Sequence, residues 1–321
     1  SAIALGCMRD AASVDRLVSY TKRGVPNLEV AASLSLVRLG REDAAPGLEK
    51  LAHAGNCYAI FALGEVSGSE DCLARLLAHS DLEIRVHAGL ALLQRKDPRA
   101  LPIAQTVLTD SQLDVAALPC YSPSGALRAW RVLSSAQQNL SSDPYAYELA
   151  IQSREQILAG IALLGEEHFL PVAEQLMAQN MNALIPGLIH LLEELNSPAA
   201  VELLQRHVHQ PGAPLIRNYC KLALFRMGEA PQYRSDLEDW LLRESQHDII
   251  SFRPLVPWER HQNDRAFELT PTEKSRLLIE CFETIAALQD EPAMRTLQKA
   301  MLEGDSLNRY ALAGLLLRAS T

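Results

Sequence analysis

Aromatic side chains make up only 5% of the 321 residues, so whatever core this chain builds must be aliphatic. Lysine is scarce as well: six of the 30 basic residues are Lys and the rest are Arg, against 39 acidic residues, for a net charge of −9. The acid is concentrated late in the chain, with residues 1–160 at net −2 and residues 161–321 at net −7. An acidic chain without a Lys/Arg stripe lacks the basic groove that releases counterions from nucleic acid, so no nucleic acid is expected as a partner. Long apolar runs are missing too. The most apolar stretch, 184–192, is broken by Pro186 and His190 and falls far short of the roughly 20 residues that cross a bilayer, so no membrane insertion is expected. Ser1 to Met8 is apolar but has no basic residues ahead of it and is closed by Arg9 and Asp10, which does not read as a secretory signal. Six cysteines (Cys7, Cys57, Cys72, Cys120, Cys220 and Cys281) are scattered without close pairing. Several sit in apolar helical patterns, where a thiol packs as a small hydrophobe, which points to a reducing, cytoplasmic setting.

Motifs that carry chemistry are equally scarce. Two imidazoles four apart on a helix with a matching acid would suggest a metal ion, and no such pair occurs. His207 and His209 point to different sides of a helix, and Cys57 and Cys72 are too far apart for a C-x-x-C knuckle. No G-x-S-x-G elbow, phosphate loop or dinucleotide fingerprint is present. Glu166-Glu167 and Glu193-Glu194 are adjacent, so on a helix they diverge by about 100° and make no acid/base dyad. The expectation is no metal, no cofactor and no catalytic residue, although Ser, His and Asp converging from different repeats would leave no local trace.

What the chain does have is a repeat. Hydrophobic residues are 48% of the sequence, and length alone would suggest about two domains at roughly 100 to 200 residues each. The pattern is instead one of helical pairs. An apolar helix over Leu28 to Leu39 is followed by an amphipathic one over Ala44 to Ala54, and Leu82 to Leu93 is followed by a helix starting at Asp97-Pro98-Arg99-Ala100. The plan recurs at 154–165 with 167–179, 184–195 with 198–209, 215–228 with 231–243, and 277–288 with 292–302. First helices end at intervals of roughly 24 to 33 residues, with two gaps of about twice that, which is the signature of a stacked array. Pro98, Pro198, Pro231 and Pro292 suit first helical turns. Asp97, Asn196-Ser197 and Asp290 can cap the amides behind them. Small residues such as Ala88-Gly89 and Ala159-Gly160 permit close approach of stacked helices.

Ile84-Arg85 and Ile216-Arg217, Ala91-Leu92 and Ala223-Leu224, and Asp97-Pro98-Arg99-Ala100 together resemble HEAT repeats, most closely the short bacterial type also found in phycobilisome lyases. The resemblance covers roughly three quarters of the chain and is structural and degenerate, so it speaks to fold far more than to function. It implies an all-α, right-handed α-α superhelix (solenoid) of about nine or ten helical hairpins, forming a single array over 1–321. The second helices of such an array line a concave surface that binds another protein or peptide. A non-catalytic scaffold or adaptor is the resulting expectation. Some proteins with such repeats are bilin lyases or DNA glycosylases, so an enzyme of that kind is the alternative.

Two segments depart from the plan. Residues 114–147 hold Pro119, Pro123 and Pro144 around one expected helix, about Ser124 to Asn139, and read as a degenerate repeat. Residues 244–271 are a non-repeat insertion carrying Phe252, Arg253, Trp258, Arg260 and Phe267 beside Trp240. Interface hot spots favour Trp and Arg, so these six residues are the candidate partner-binding site, unless the aromatics serve to pin the insertion to its neighbours. Tyr145 and Tyr147 are a second candidate. The array opens and closes in mid-repeat at Ser1 and Arg318, the pattern expected of a fragment of a longer protein, of a trimmed terminus or of an unusual natural cap.

Overall fold

The structure is a computed structural model that describes residues 2–109, 113–120, 127–134, 144–246, 250 and 269–319. Among the described residues there are seventeen α-helices and one pair of strands, so the fold is an all-α helical repeat interrupted by a single ribbon. No helix among the described residues is long and apolar enough to cross a membrane. Two compact units share the chain: Ser1–Gln138 with Gln152–Phe169, and Asn139–Ile151 with Leu170–Thr321.

The first unit opens with α1 (Ala2–Cys7), α2 (Val14–Tyr20), α3 (Pro26–Arg38) and α4 (Ala45–His53). It continues with α5 (Cys57–Leu63), α6 (Glu70–Leu76), α7 (Leu82–Gln94) and α8 (Leu101–Thr109). Helices α1, α3, α5 and α7 pack each on the next, while α2, α4 and α6 each pack on the helix that follows. This is the two-layer stacking of a helical repeat. The inner helices are buried nearly all round: Ile84, Val86, His87, Ala88, Gly89, Leu90, Ala91, Leu92 and Leu93 of α7 are all buried, as expected of a helix covered by neighbours on both sides. Gly89 illustrates how close those neighbours come, since a Cβ there would collide with the side chain of Ile103 on α8. Gly6 on α1 does the same against Ser35 of α3, whose Cβ would lie 2.6 Å away.

The degenerate repeat differs from the expected helix over about 124–139. The backbone forms β1 (Leu113–Cys120) and β2 (Leu127–Ser134), paired antiparallel from Leu113 opposite Ser134 to Cys120 opposite Leu127. Pro119, inside β1, disfavours a regular helix there, and a proline is tolerated in a ribbon whose strands are both edges. Val115 opposite Val132 supplies β-branched residues to the middle of the pair. A two-stranded ribbon is marginal by itself, and here β2 lies against α5 and α7. Helix α9 (Pro144–Ala162) follows, and its buried Arg154 donates from Nε to the Val107 carbonyl at 3.1 Å, closing one of the unsatisfied carbonyls at the end of α8.

Helix α10 (Glu166–Ala178) leads to α11 (Ile185–Leu195), α12 (Pro198–His207), α13 (Pro214–Arg226) and α14 (Tyr233–Glu244) of the second unit. Beyond the insertion come α15 (Pro271–Ala287), α16 (Glu291–Glu303) and α17 (Asn308–Ala319). Helices α11, α13, α15 and α17 stack in series, and α12, α14 and α16 cover them. The caps fall where the sequence puts them. Ser197 accepts from Ala200 N at 3.1 Å, Asp290 from Ala293 N at 2.8 Å, and in the first unit Asp97 from Arg99 N at 2.9 Å. Asn196 takes the left-handed conformation, φ 45°, that ends α11. Pro231 is the exception among the four prolines: it lies in the turn, and α14 begins at Tyr233.

Candidate functional site

A cleft of about 790 Å³ opens between α13, α14 and α15. Its apolar wall is Leu237, Leu269 and Leu277 with the half-buried ring of Trp240, and the Cys281 thiol sits at its base. That thiol is fully buried and donates to the Leu237 carbonyl at 3.5 Å, and burial pushes it up to about 12, so it packs rather than reacts. Four cations, Arg217, Lys221, Arg243 and Lys274, face three anions, Asp236, Asp239 and Glu244, leaving one surplus positive charge in the more acidic half of the chain. Most of this charge is neutralised internally: Lys221 bonds Asp236 at 2.6 Å, while Arg243 and Lys274 lie 3.0 and 3.7 Å from Glu244. The side chains of Arg217 and Asn218 make no hydrogen bond or ion pair among the described residues.

Trp240 is thus the one predicted site residue that the described structure brings to the cleft. Phe252, Arg253, Trp258, Arg260 and Phe267 lie outside the described residues. Both ends of the insertion are fixed beside the cleft. At its start, buried Asn308 of α17 accepts from Ile250 N at 2.6 Å and donates to the Ser245 carbonyl at 3.3 Å. At its end, Thr270 accepts from Glu273 N at 3.2 Å while Glu273 accepts from Thr270 N at 2.9 Å, a reciprocal capping box in which both side chains are buried. Tyr145 and Tyr147 fall in the first turn of α9.

A second polar cluster ties α11, α13 and α15 together. Arg226 reaches Glu193 at 3.3 Å, Glu280 at 3.2 Å and Thr284 at 2.8 Å. Tyr219 donates to Glu280 at 2.9 Å, and His190 lies 3.2 Å from Glu193 and 3.5 Å from Glu280. Bonds to Glu193 and then Glu280 raise the imidazole to about 10. Burial pushes the Glu280 carboxyl up, but His190, Arg226 and Tyr219 outweigh it and hold the group below its ordinary range. Charges are thereby locked in their ionised forms, the opposite of a group poised near neutrality to exchange a proton. The cluster acts as a ladder of ion pairs between successive repeats.

One trio could hold a metal ion among the described residues: Cys57 of α5 with Glu83 and His87 of α7, whose donor atoms lie within 4.8 Å of one another. Its trace in the sequence is faint, because the thiol comes from a different hairpin than the Glu83–His87 pair and no pair of histidines is involved. Burial pushes the Cys57 thiol up to about 11, with Glu83 and Asp81 adding to the effect, and burial pushes the His87 imidazole down to about 4.

No protein-family model matches the sequence, and no curated protein matches it.

Proposed function

We propose that this chain is a non-catalytic scaffold of the short bacterial HEAT-repeat type that holds a segment of another protein in the cleft between α13, α14 and α15. The observation that carries the reading is the presence of Trp240 with Arg217 and Asn218 on the walls of that cleft, where an aromatic anchor joins two polar side chains that have no bond among the described residues. Interface energy concentrates at buried Trp and Arg with an apolar surround, and Leu237, Leu269 and Leu277 supply that surround. The surplus positive charge favours a segment that presents a carboxylate next to an apolar side chain. The insertion, anchored at Ser245 and Thr270, adds Phe252, Arg253, Trp258, Arg260 and Phe267 to the same reading as partner-binding residues. Nucleic acid is disfavoured by the net −9 charge. A reducing cytoplasmic compartment is supported by five free thiols among the described residues, Cys7, Cys57, Cys72, Cys220 and Cys281.

The test is affinity capture from the native organism with the wild-type chain and with a Trp240→Ala/Arg217→Glu variant of unchanged circular dichroism and melting temperature. A protein recovered by the first and lost from the second supports the reading; identical recovery from both removes the cleft as the site.

A further inference from the structure

We infer that Cys57, Glu83 and His87 form a binding site for one divalent cation of the zinc class. The three donors come from two helices of the same unit and converge within 4.8 Å of one another, against about 3.3 to 3.8 Å between ligands of a tetrahedral ion bonded at about 2.0 to 2.3 Å, so side-chain adjustments of about 1 Å close them on one ion. Each is held in place by its own backbone. Cys57 is the first residue of α5, behind an Asn56 cap that accepts from Ala59 N at 3.1 Å. Glu83 and His87 are four apart on α7 and so project from one face of it, behind an Asp81 cap that accepts from Glu83 N at 2.8 Å.

The imidazole is prepared for the role. His87 is fully buried, and its Nδ1 lies 2.7 Å from the Glu83 carbonyl oxygen, so Nδ1 carries the hydrogen and the lone pair sits on Nε2. A metal-ligating histidine is commonly oriented by such a bond from its other nitrogen to a backbone carbonyl.

The donor set selects the ion. Sulfur and imidazole nitrogen favour zinc-like metals over magnesium or calcium, which take oxygen. A thiolate and a carboxylate together match the two charges of the cation, which lowers the cost of desolvating it. On binding, the Cys57 S–H bond breaks, a sulfur–metal bond forms and the proton leaves to the buffer; no electron is transferred. Three protein donors leave a fourth tetrahedral position for water or an external ligand. The site lies in the first unit, shares no residue with the proposed partner cleft, and stands or falls independently of it.

The full-length chain, stripped with a chelator, should be titrated with Co²⁺ and then with Zn²⁺ while near-ultraviolet thiolate-to-Co²⁺ charge transfer is recorded. The expected result is a band that saturates at one equivalent and is displaced by Zn²⁺. Cys57→Ser should abolish it. Cys72→Ser should leave it intact, although Cys72 also lies beside an imidazole, 3.6 Å from His53 Nε2. His87→Gln and the half-buried Glu83→Gln should each weaken Zn²⁺ binding by at least about 10- to 100-fold; the second variant keeps the test decisive if the first fails to fold. Absence of a saturable band, its survival in Cys57→Ser, its loss in Cys72→Ser, or unchanged affinity in Glu83→Gln would overturn the assignment.

Discussion

The phenol of Tyr219, only 1% exposed, donates a 2.9 Å hydrogen bond to Glu280 across the α13–α15 contact. It is among the largest fully buried side chains of an aliphatic core, so its ring fills volume while its oxygen completes the shell of a carboxylate that also faces Arg226 and His190. Tyr219→Phe preserves the volume and removes the donor. The variant is expected to lose about 1.5 to 3 kcal/mol, as for a hydrogen bond to a charged group, measured as a lower urea midpoint at unchanged slope.

The same cluster sets an alkaline limit. The His190 imidazole is raised to about 10 in the folded chain, against about 6.5 when unfolded. The folded state therefore holds its proton more tightly, and the resulting stability is complete below about pH 6.5 and lost as pH rises towards 10. His190→Gln should flatten the fall in melting temperature between pH 7 and 10. An unaltered slope in the variant would contradict the assignment. His87 has the opposite sign, since its imidazole is held down to about 4; the unfolded chain binds its proton first, so the metal-free first unit should lose stability as pH falls from about 6.5 towards 4.

Asn308 spans two backbone groups, Ile250 N and the Ser245 carbonyl, from a fully buried position. Asn308→Ala strands both, at an expected cost of about 2 to 4 kcal/mol. Hydrogen exchange should show Ile250 losing its protection, with α11 and α12 unaffected.

Gly89 tests how tightly the helices interlock. An alanine in a helix interior ordinarily adds about 1 kcal/mol relative to glycine, yet here its methyl meets Ile103. Gly89→Ala is expected to destabilise by about 1 to 3 kcal/mol. Combining it with Ile103→Ala should recover part of that loss in a double-mutant cycle of thermal unfolding, because the two changes share one volume.

Helix pairing was legible because each turn is written locally: Asp97, Ser197 and Asp290 cap as their positions before proline require, and the small residues of α7 lie where neighbours approach. The ribbon was not. The helix expected over about 124–139 rests on local pattern alone, whereas the ribbon depends on support from α5 and α7, which lie far away in sequence. At the cleft, Trp240 could be found because aromatics are rare in this chain. Arg217 and Asn218 resemble any other polar pair until α13, α14 and α15 converge. The Glu83–His87 spacing was visible, whereas the Cys57 thiol joins it only through the packing of α5 on α7.

The capping box at Thr270 and the Asn308 clamp also bear on how this chain can change over time. The cost of closing a loop grows only with the logarithm of its length, about 0.6 kcal/mol per doubling. With entry and exit pinned to buried groups, residues between them can be substituted, lengthened or exchanged without disturbing the register of the neighbouring hairpins. The insertion is thus a position at which sequence can vary while the stack on either side of it stays the same.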